Sequence, residues 1–414
     1  MSSRLTIVIP NYNRPKALSR LLKSIFAAIK HADADEAVRV LVVDDYSTED
    51  IAWVIEPYLK KPNFLFRMQK EKCGNAELSF LSAVGSVGTE YTWLLGNDDI
   101  VSQDSIAHIL KVIEGGKYGF ILLNPQILKV TQNRDFLALN STSESVVYDR
   151  TEDLFYDFGF VTSTTTFPCL VFKTDPVVAF HEEHRLTAIA TVYSHTFTFF
   201  AALRDQPALF LSLPIVGFTL NERLEEQVKL QKQAPAGVQF YHQSLGLARL
   251  IQACADKTRV PVAAFGASLE DEVDKDSLRV HGTLLSHFLL FFFIEQTIRE
   301  CDHSIRNVIG FRYLLKTDVA EIRQVVHRFD DHIVSHYFES AVDVFNSMAV
   351  SSAWKIEYLR NLQRSVLGAA HEKYEKLGLQ ASHKGAHKIH EATFGVYPLR
   401  GRRGDAFGGE AAPI

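Results

Sequence analysis

At 414 residues, with 47% hydrophobic and 22% charged residues, the chain has the composition of an ordinary globular protein with room for two or three domains. Its net charge of −5 and pI near 6.4 exclude nucleic-acid binding as its main business, because affinity for a phosphate backbone rests on clustered Lys and Arg. Four cysteines, Cys73, Cys169, Cys254 and Cys301, stand too far apart for a metal knuckle or a small disulfide framework.

The chain enters its first strand without the charged and apolar regions of a leader peptide. The expected location is therefore the cytoplasm, with the Asn140-Ser141-Thr142 sequon left unglycosylated. "LTIVIP", Leu5 to Pro10, reads as a continuous apolar strand, and it runs directly into Asn11, Tyr12 and Asn13. Asn13 is placed to cap a helix that has Pro15 in its first turn and Leu18, Leu21, Leu22, Ile25, Phe26 and Ile29 on one face. Next come a strand "VRVLVVDD" (Val38 to Asp45), a helix around Ile51 to Leu59, a strand "FLFRMQ", a helix from about Ala76 and a strand "YTWLLG". Buried strands alternating with helices imply an α/β fold, a parallel sheet covered on both faces. Such sheets bind ligands in the crevice beyond the carboxyl ends of their strands, which is where Asn11 to Asn13 fall.

Two of these strand ends carry carboxylates. Asp44 and Asp45 end the second strand ahead of "YSTED", where Ser47 or Thr48 is available as a helix cap. An acidic pair in a turn is common and by itself says little. "GNDDI", Gly96 to Ile100, is more telling. The "SQDS" that starts at Ser102 already offers the next helix a cap and a first-turn acid, so Asp98 and Asp99 are surplus to local structure. Two carboxylates at one sheet edge repel unless a cation lies between them, and oxygen ligands of this kind suit Mg²⁺ or Mn²⁺ bridging phosphates.

Taken in order, "TIVIPNYNR", "VLVVDDYSTED" and "EKCGNAELSFLSAVGSVGTEYTWLLGNDDI" resemble the family 2 glycosyltransferases of GT-A fold, strongly over residues 5 to 104 and weakly to about Arg223. The resemblance implies a nucleoside-diphosphate-sugar donor (a UDP-sugar first), a divalent cation (Mn²⁺ or Mg²⁺) and inverting transfer to a hydroxyl of a glycan or lipid-linked acceptor, as in bacterial surface polysaccharide assembly. It also implies that Pro10, Asn11, Tyr12 and Asn13 cradle the nucleoside, that Asp45 accepts from the base ring, and that the stretch Cys73, Gly74 and Asn75 flanks that pocket. Asn97, Asp98 and Asp99 stand where the family keeps its "DxD" signature. Asp99 is the implied metal ligand, with Asp98 beside the ribose or the metal. Asn97 departs from the commoner acid, and an amide there is a weaker ligand but a serviceable hydrogen-bonding group.

The reaction also needs a base to activate the acceptor hydroxyl. In the matching region, "TVYSHTFTFFAAL", no acid appears where the family usually has one. His195 is the expected substitute, with Glu182 or Glu183 of "FHEEHR" as carboxylate alternatives and a histidine satisfied within the core as the structural alternative. "STTTFPCLVFK", Ser163 to Lys173, resembles the strand on the acceptor side. Arg223 lies where a loop often folds over the diphosphate and could grip it bidentately, or could simply face solvent on a helix.

The organisation expected is a catalytic domain over 1–226, a linker over 227–239, an all-helical domain over 240–380 and a flexible tail over 381–414. The Phe288 to Phe293 run is expected to build the helical domain's core, and a homo-oligomer or membrane-surface contact is the sharper alternative. With its basic "RGRR", the tail adds peripheral contact at the inner face of the membrane to the expectations. Nucleotidyltransferases are disfavoured, since "PNYNR" lacks their Gly-rich basic loop. The competing function is a noncatalytic sugar-nucleotide sensor or scaffold built on a degenerate transferase domain.

Overall fold

The computed structural model describes residues 3–70, 72–73, 76–128, 135–137, 144–158, 163–164, 167–184, 194–219, 316–328, 332–347 and 351–376, with short pieces at 245–246, 248–249, 289–290, 293–294 and 297. Strand β1 (Leu5–Asn11) has Leu5, Ile7, Val8 and Ile9 wholly buried, as a strand covered on both faces requires. Helix α1 (Pro15–His31) follows, with Pro15 opening it and Leu18, Leu21, Leu22, Ile25 and Ile29 forming its buried face. Each such side chain contributes roughly 1.5–3 kcal/mol by leaving water. Truncating one, as in Leu22→Ala, would cost about 2–5 kcal/mol.

The expected order then unfolds with small adjustments. β2 (Val38–Asp44) is followed by a short α2 (Ala52–Ile55) continued by a single 3-10 turn, and then by β3 (Phe64–Met68), α3 (Ala76–Val84) and β4 (Tyr91–Leu94). β5 (Asp99–Val101), α4 (Ser105–Ile113), β6 (Phe120–Leu128), β7 (Asp135–Leu137), β8 (Val146–Tyr148) and α5 (Thr151–Phe158) come next. β9 (Leu170–Lys173), α6 (Thr174–His184), α7 (Ser194–Leu203) and β10 (Ala208–Thr219) complete the sheet region.

The ten-stranded sheet runs β3-β2-β1-β4-β9-β6-β10-β5, with β7 on β6 and β8 on β10. β1 to β4 pair in parallel, as the continuous apolar strands imply. β9 lies antiparallel between β4 and β6, while β10 runs parallel to β6 and antiparallel to β5. The second half is therefore mixed, a feature that apolar periodicity does not encode because a strand buried on both faces looks the same in either direction.

Register is what aligns the site. Asn11 pairs with Asp44, so β1 and β2 finish level, whereas β4 ends at Leu94 opposite Val8 and the loop after it runs on until Asn97 reaches Asn11. Their following loops meet at one edge of the sheet.

Towards the C-terminus lie α8 (Lys316–Arg328), α9 (His332–Asn346) and α10 (Ser352–Lys376), in keeping with a helical second region. Phe293 is buried and packs on Phe338 with ring centroids 4.7 Å apart, which accords with a core role for that part of the phenylalanine run. Arg323 grips Glu339 through two hydrogen bonds of 2.8 and 3.0 Å between α8 and α9. The expected linker and tail lie outside the described residues. Among the described residues no helix is long and apolar enough to cross a membrane.

Candidate active site

The loop after β1 is held by its own amides. Asn11 is buried, and its Nδ2 donates to Asp44 Oδ1 at 2.7 Å while its Oδ1 accepts from Asn97 Nδ2 at 2.7 Å. One side chain thus ties β1, the end of β2 and the loop after β4 together. Asp44 is wholly buried and also accepts from the Ser47 backbone N–H (2.8 Å) and hydroxyl (2.6 Å), closing the turn. Of the acidic pair at the end of β2, Asp44 is the structural member.

Asn13 differs from the expectation. It does not cap α1: the N-cap position belongs to Arg14, which makes no side-chain cap. Asn13 has φ 49°, a left-handed conformation that asparagine tolerates, and its Oδ1 accepts from the backbone N–H groups of Thr48 (2.7 Å) and Glu49 (3.0 Å). Its own N–H donates to Ser47 Oγ at 2.8 Å. The positive φ turns the side chain across to the neighbouring loop, so Asn13 ties the end of β1 to residues 47–49. Ser47 and Thr48 are consequently used by Asn13 and Asp44; the short helix after them has Ile51 at its N-cap with no side-chain cap, and Asp50 one residue earlier accepts from the Ala52 N–H at 2.9 Å. A similar change occurs at α4, where the N-cap Asp104 makes no cap bond and pairs with His31 at 3.0 Å.

Asp45, the second acid of the pair, is bound to a different segment. It is 6% exposed, and its Oδ1 accepts from the Cys73 backbone N–H at 2.6 Å, which joins the β2 end to the segment before α3. Lys72 beside it donates to the Tyr12 hydroxyl at 2.8 Å and places its ammonium 3.9 Å from the centre of the Tyr12 ring. Tyr12, Asp45, Lys72 and Cys73 thus form one linked wall. Sequence reasoning missed Lys72, although its place one residue before Cys73 was a usable signal. Gly74, Asn75 and Arg223 lie outside the described residues.

The "GNDDI" loop carries the remaining carboxylates. Asp99 is 3% exposed and opens β5, and its Oδ2 accepts from the Gly96 N–H at 2.6 Å. Asp98 Oδ2 accepts from Arg14 Nη1 at 2.8 Å. A Cβ built on Gly96 would lie 3.0 Å from Asp99 Oδ2 and 3.1 Å from Asp98 Oδ1, so the two acids close round the one residue that has no side chain. The antiparallel pairing of Leu170 with Leu94 brings Cys169 level with this loop. Its buried thiol is pushed well above its usual pKa by desolvation and then by Asp99, and stays protonated.

Among the described residues no three His, Cys, Asp or Glu side chains converge to hold a cation unaided. The pair Asp98 and Asp99 does fit the sparer arrangement in which one or two carboxylates and the phosphates of a substrate share the cation.

The acceptor-side expectations fare differently. His195 is 1% exposed on α7, edge-on to Phe167 (4.9 Å between ring centres) and Phe199 (6.2 Å). Its Nε2 lies 3.4 Å from the Thr196 hydroxyl. Burial lowers its pKa to about 3, partly opposed by a backbone hydrogen bond to Thr164. The expectation of an imidazole that faces an acceptor hydroxyl and titrates near its ordinary value is corrected: apolar rings enclose it, and it stays neutral throughout the physiological range. Glu182 and Glu183 are exposed near the end of α6. In "STTTFPCLVFK", Ser163 and Thr164 are buried and β9 is a central strand, so much of that stretch builds core.

With this geometry in view, residues 6–174 match the family model described as glycosyl transferase family 2. Abequosyltransferase RfbV of Salmonella typhimurium is 29% identical over 105 residues, which is 25% of this chain and 30% of that protein. The chain therefore aligns with under a third of that curated relative. Among solved structures, S. aureus TarS 1-349 shares 15% identity at a TM-score of 0.42, covering 81% of this chain and 91% of its own. The mannosyltransferase PcManGT of Pyrobaculum calidifontis, in complex with GDP-Man and Mn²⁺, shares 12% at a TM-score of 0.41, covering 90% and 87%. The motifs at the ends of β1, β2 and β4, the sheet that aligns them and the family match across the same residues agree, and residues 6–174 are a glycosyl transferase family 2 region.

Proposed function

We propose that the protein transfers a sugar, with inversion, from a nucleoside-diphosphate sugar to a hydroxyl of a glycan or lipid-linked acceptor, in the cytoplasm and in the service of surface polysaccharide assembly. The observation that carries the reading is the meeting of Asp98 and Asp99 around Gly96, beside the Asn11, Tyr12 and Asp45 wall. Tyr12 offers a ring face for stacking and Asp45 an acceptor for a base N–H. Asp99 and Asp98 would hold a Mn²⁺ or Mg²⁺ ion, which when bound offsets the negative charge that gathers on a departing diphosphate. Arg223 is proposed to add a bidentate grip on the phosphates. Pro10 and the Asn11 bridge fix the floor on which the sugar's anomeric carbon is presented in line to its acceptor.

The proton of the acceptor hydroxyl is assigned away from His195. Glu182 and Glu183, accessible on α6, are the carboxylates to test as base. Acceptors that are lipid-linked would bring the enzyme to the inner face of the membrane, and the helical region is the proposed surface for self-association.

A second reading, a noncatalytic sugar-nucleotide sensor or scaffold, is favoured by one observation: the enclosure of His195, which removes the histidine from the acceptor side. Donor hydrolysis with manganese across UDP-, GDP-, CMP- and TDP-sugars, beginning with UDP-sugars, separates the two. Turnover of one donor supports the transferase. Nucleotide binding without turnover, with or without glycan acceptors, supports the sensor.

A further inference from the structure

Arg14 sits where helix physics disfavours it. It occupies the N-cap of α1, so its positive charge stands at the positive end of the helix dipole, and the first turn of α1 has no acid to offset it. Its guanidinium serves the helix with no cap bond. It reaches 84 residues along the chain to Asp98, pairing at 2.8 Å with both side chains nearly enclosed, 10% and 12% exposed. Asp98 Oδ1, the oxygen outside that bond, faces Gly96 together with Asp99 Oδ2. A buried carboxylate without a counter-charge is costly, so some cation must neutralise Asp98 at every stage of a binding cycle.

We propose that Arg14 is a placeholder for the divalent cation: its guanidinium neutralises and orients Asp98 while no metal is bound, and the cation takes over Asp98 from it. The inference rests on the reading that Asp98 and Asp99 hold a metal. It makes Arg14 a positioning residue that lowers affinity for free cation and so favours entry of the cation together with a nucleoside diphosphate, whose phosphates add the missing negative charge. Released from Asp98, the planar fork is then suited to a phosphate oxygen pair.

The test is Mn²⁺ alone, titrated calorimetrically into the full chain without nucleotide. Arg14→Gln keeps a hydrogen-bond donor for Asp98 and removes the charge, and it should bind Mn²⁺ about tenfold more tightly than wild type, the direction expected when a cation competing for the same carboxylate is deleted. Arg14→Lys, which restores the charge, should return the affinity to within about threefold of wild type. Mn²⁺ should also raise the melting temperature of Arg14→Gln more than that of wild type. If Arg14→Gln does not fold, Arg14→Met, which also removes the charge, carries the same test with the same expected gain in Mn²⁺ affinity. Equal or weaker Mn²⁺ affinity in Arg14→Gln overturns the placeholder role while leaving the metal site standing. Absence of Mn²⁺ binding in every variant, with UDP present or absent, overturns the metal reading and this inference with it.

Discussion

Asn97 Nδ2 donates to Asn11 Oδ1 at 2.7 Å, locking the loop after β4 to the end of β1 across 86 residues of sequence. Because Asn11 Nδ2 is at the same time committed to Asp44 Oδ1, the Asn11 amide has a fixed orientation, with its oxygen turned towards position 97. An acid at 97 would press a carboxylate against that oxygen, and flipping the amide would merely move the clash to Asp44. The departure from the family's commoner acid is thus accounted for by a neighbour on another strand.

Asn97→Asp, which restores the acid, is therefore expected to destabilise the fold by about 1–3 kcal/mol. Asn11→Asp should be worse, because it sets a second carboxylate against Asp44. Urea titration followed by tryptophan fluorescence measures both, and a stability equal to wild type in Asn97→Asp would dismiss the amide lock.

Asp45→Ala should weaken UDP binding by about 1–3 kcal/mol, the size of a lost buried hydrogen bond to a charged group. The same change deprives the Cys73 N–H of its acceptor, so Asp45→Asn, which keeps an acceptor oxygen, is the control that separates wall geometry from contact with the base. Calorimetry with UDP decides the matter: an unchanged affinity in Asp45→Ala moves the nucleoside elsewhere.

Asp99→Asn should abolish turnover and Mn²⁺ binding yet leave the melting temperature within about 2–4 °C, because an amide oxygen can still accept from the Gly96 N–H. EDTA should reproduce the loss of turnover in the wild type. Full activity under either condition would remove the metal from the mechanism. Gly96→Ala is the companion change, since its methyl would be pushed against both carboxylates and should impair the cation site more than the sheet.

His195 links stability to pH. Its pKa in the fold, lowered to about 3 by burial, lies below the value of about 6.5 it takes when unfolded, so the unfolded chain binds the extra proton between those limits. Stability from this group is fully present above pH 6.5 and is lost as pH falls towards 3, amounting to about 2 kcal/mol by pH 5. His195→Leu should lose correspondingly less stability between pH 7 and pH 5 in paired denaturant titrations, and parallel losses in the two proteins would show that the imidazole titrates normally. Donor turnover should show no step near pH 6.5 that disappears with His195→Leu.

The sequence alone determined the alternation of buried strands and amphipathic helices over β1 to β4, because apolar periodicity is a local property. It also located the polar clusters at strand ends, since a parallel sheet sends every such end to one side. Which member of each cluster does what was a tertiary matter. Asp44 and Asp45 are the same residue type and adjacent, yet one is spent on Asn11 and Ser47 while the other, just past the end of β2, accepts from the Cys73 N–H, because the two carboxylates meet different segments of the fold. Asn13 looked like a helix cap, and a left-handed φ turned it to the 47–49 loop instead. His195 stood in a stretch matched to the acceptor side, and only the packing of Phe167 and Phe199 around it decided that it belongs to the core. Pairings such as Arg14 with Asp98, and Asn97 with Asn11, join residues more than eighty positions apart, and no local pattern can announce a partner that the register of the sheet alone brings into reach.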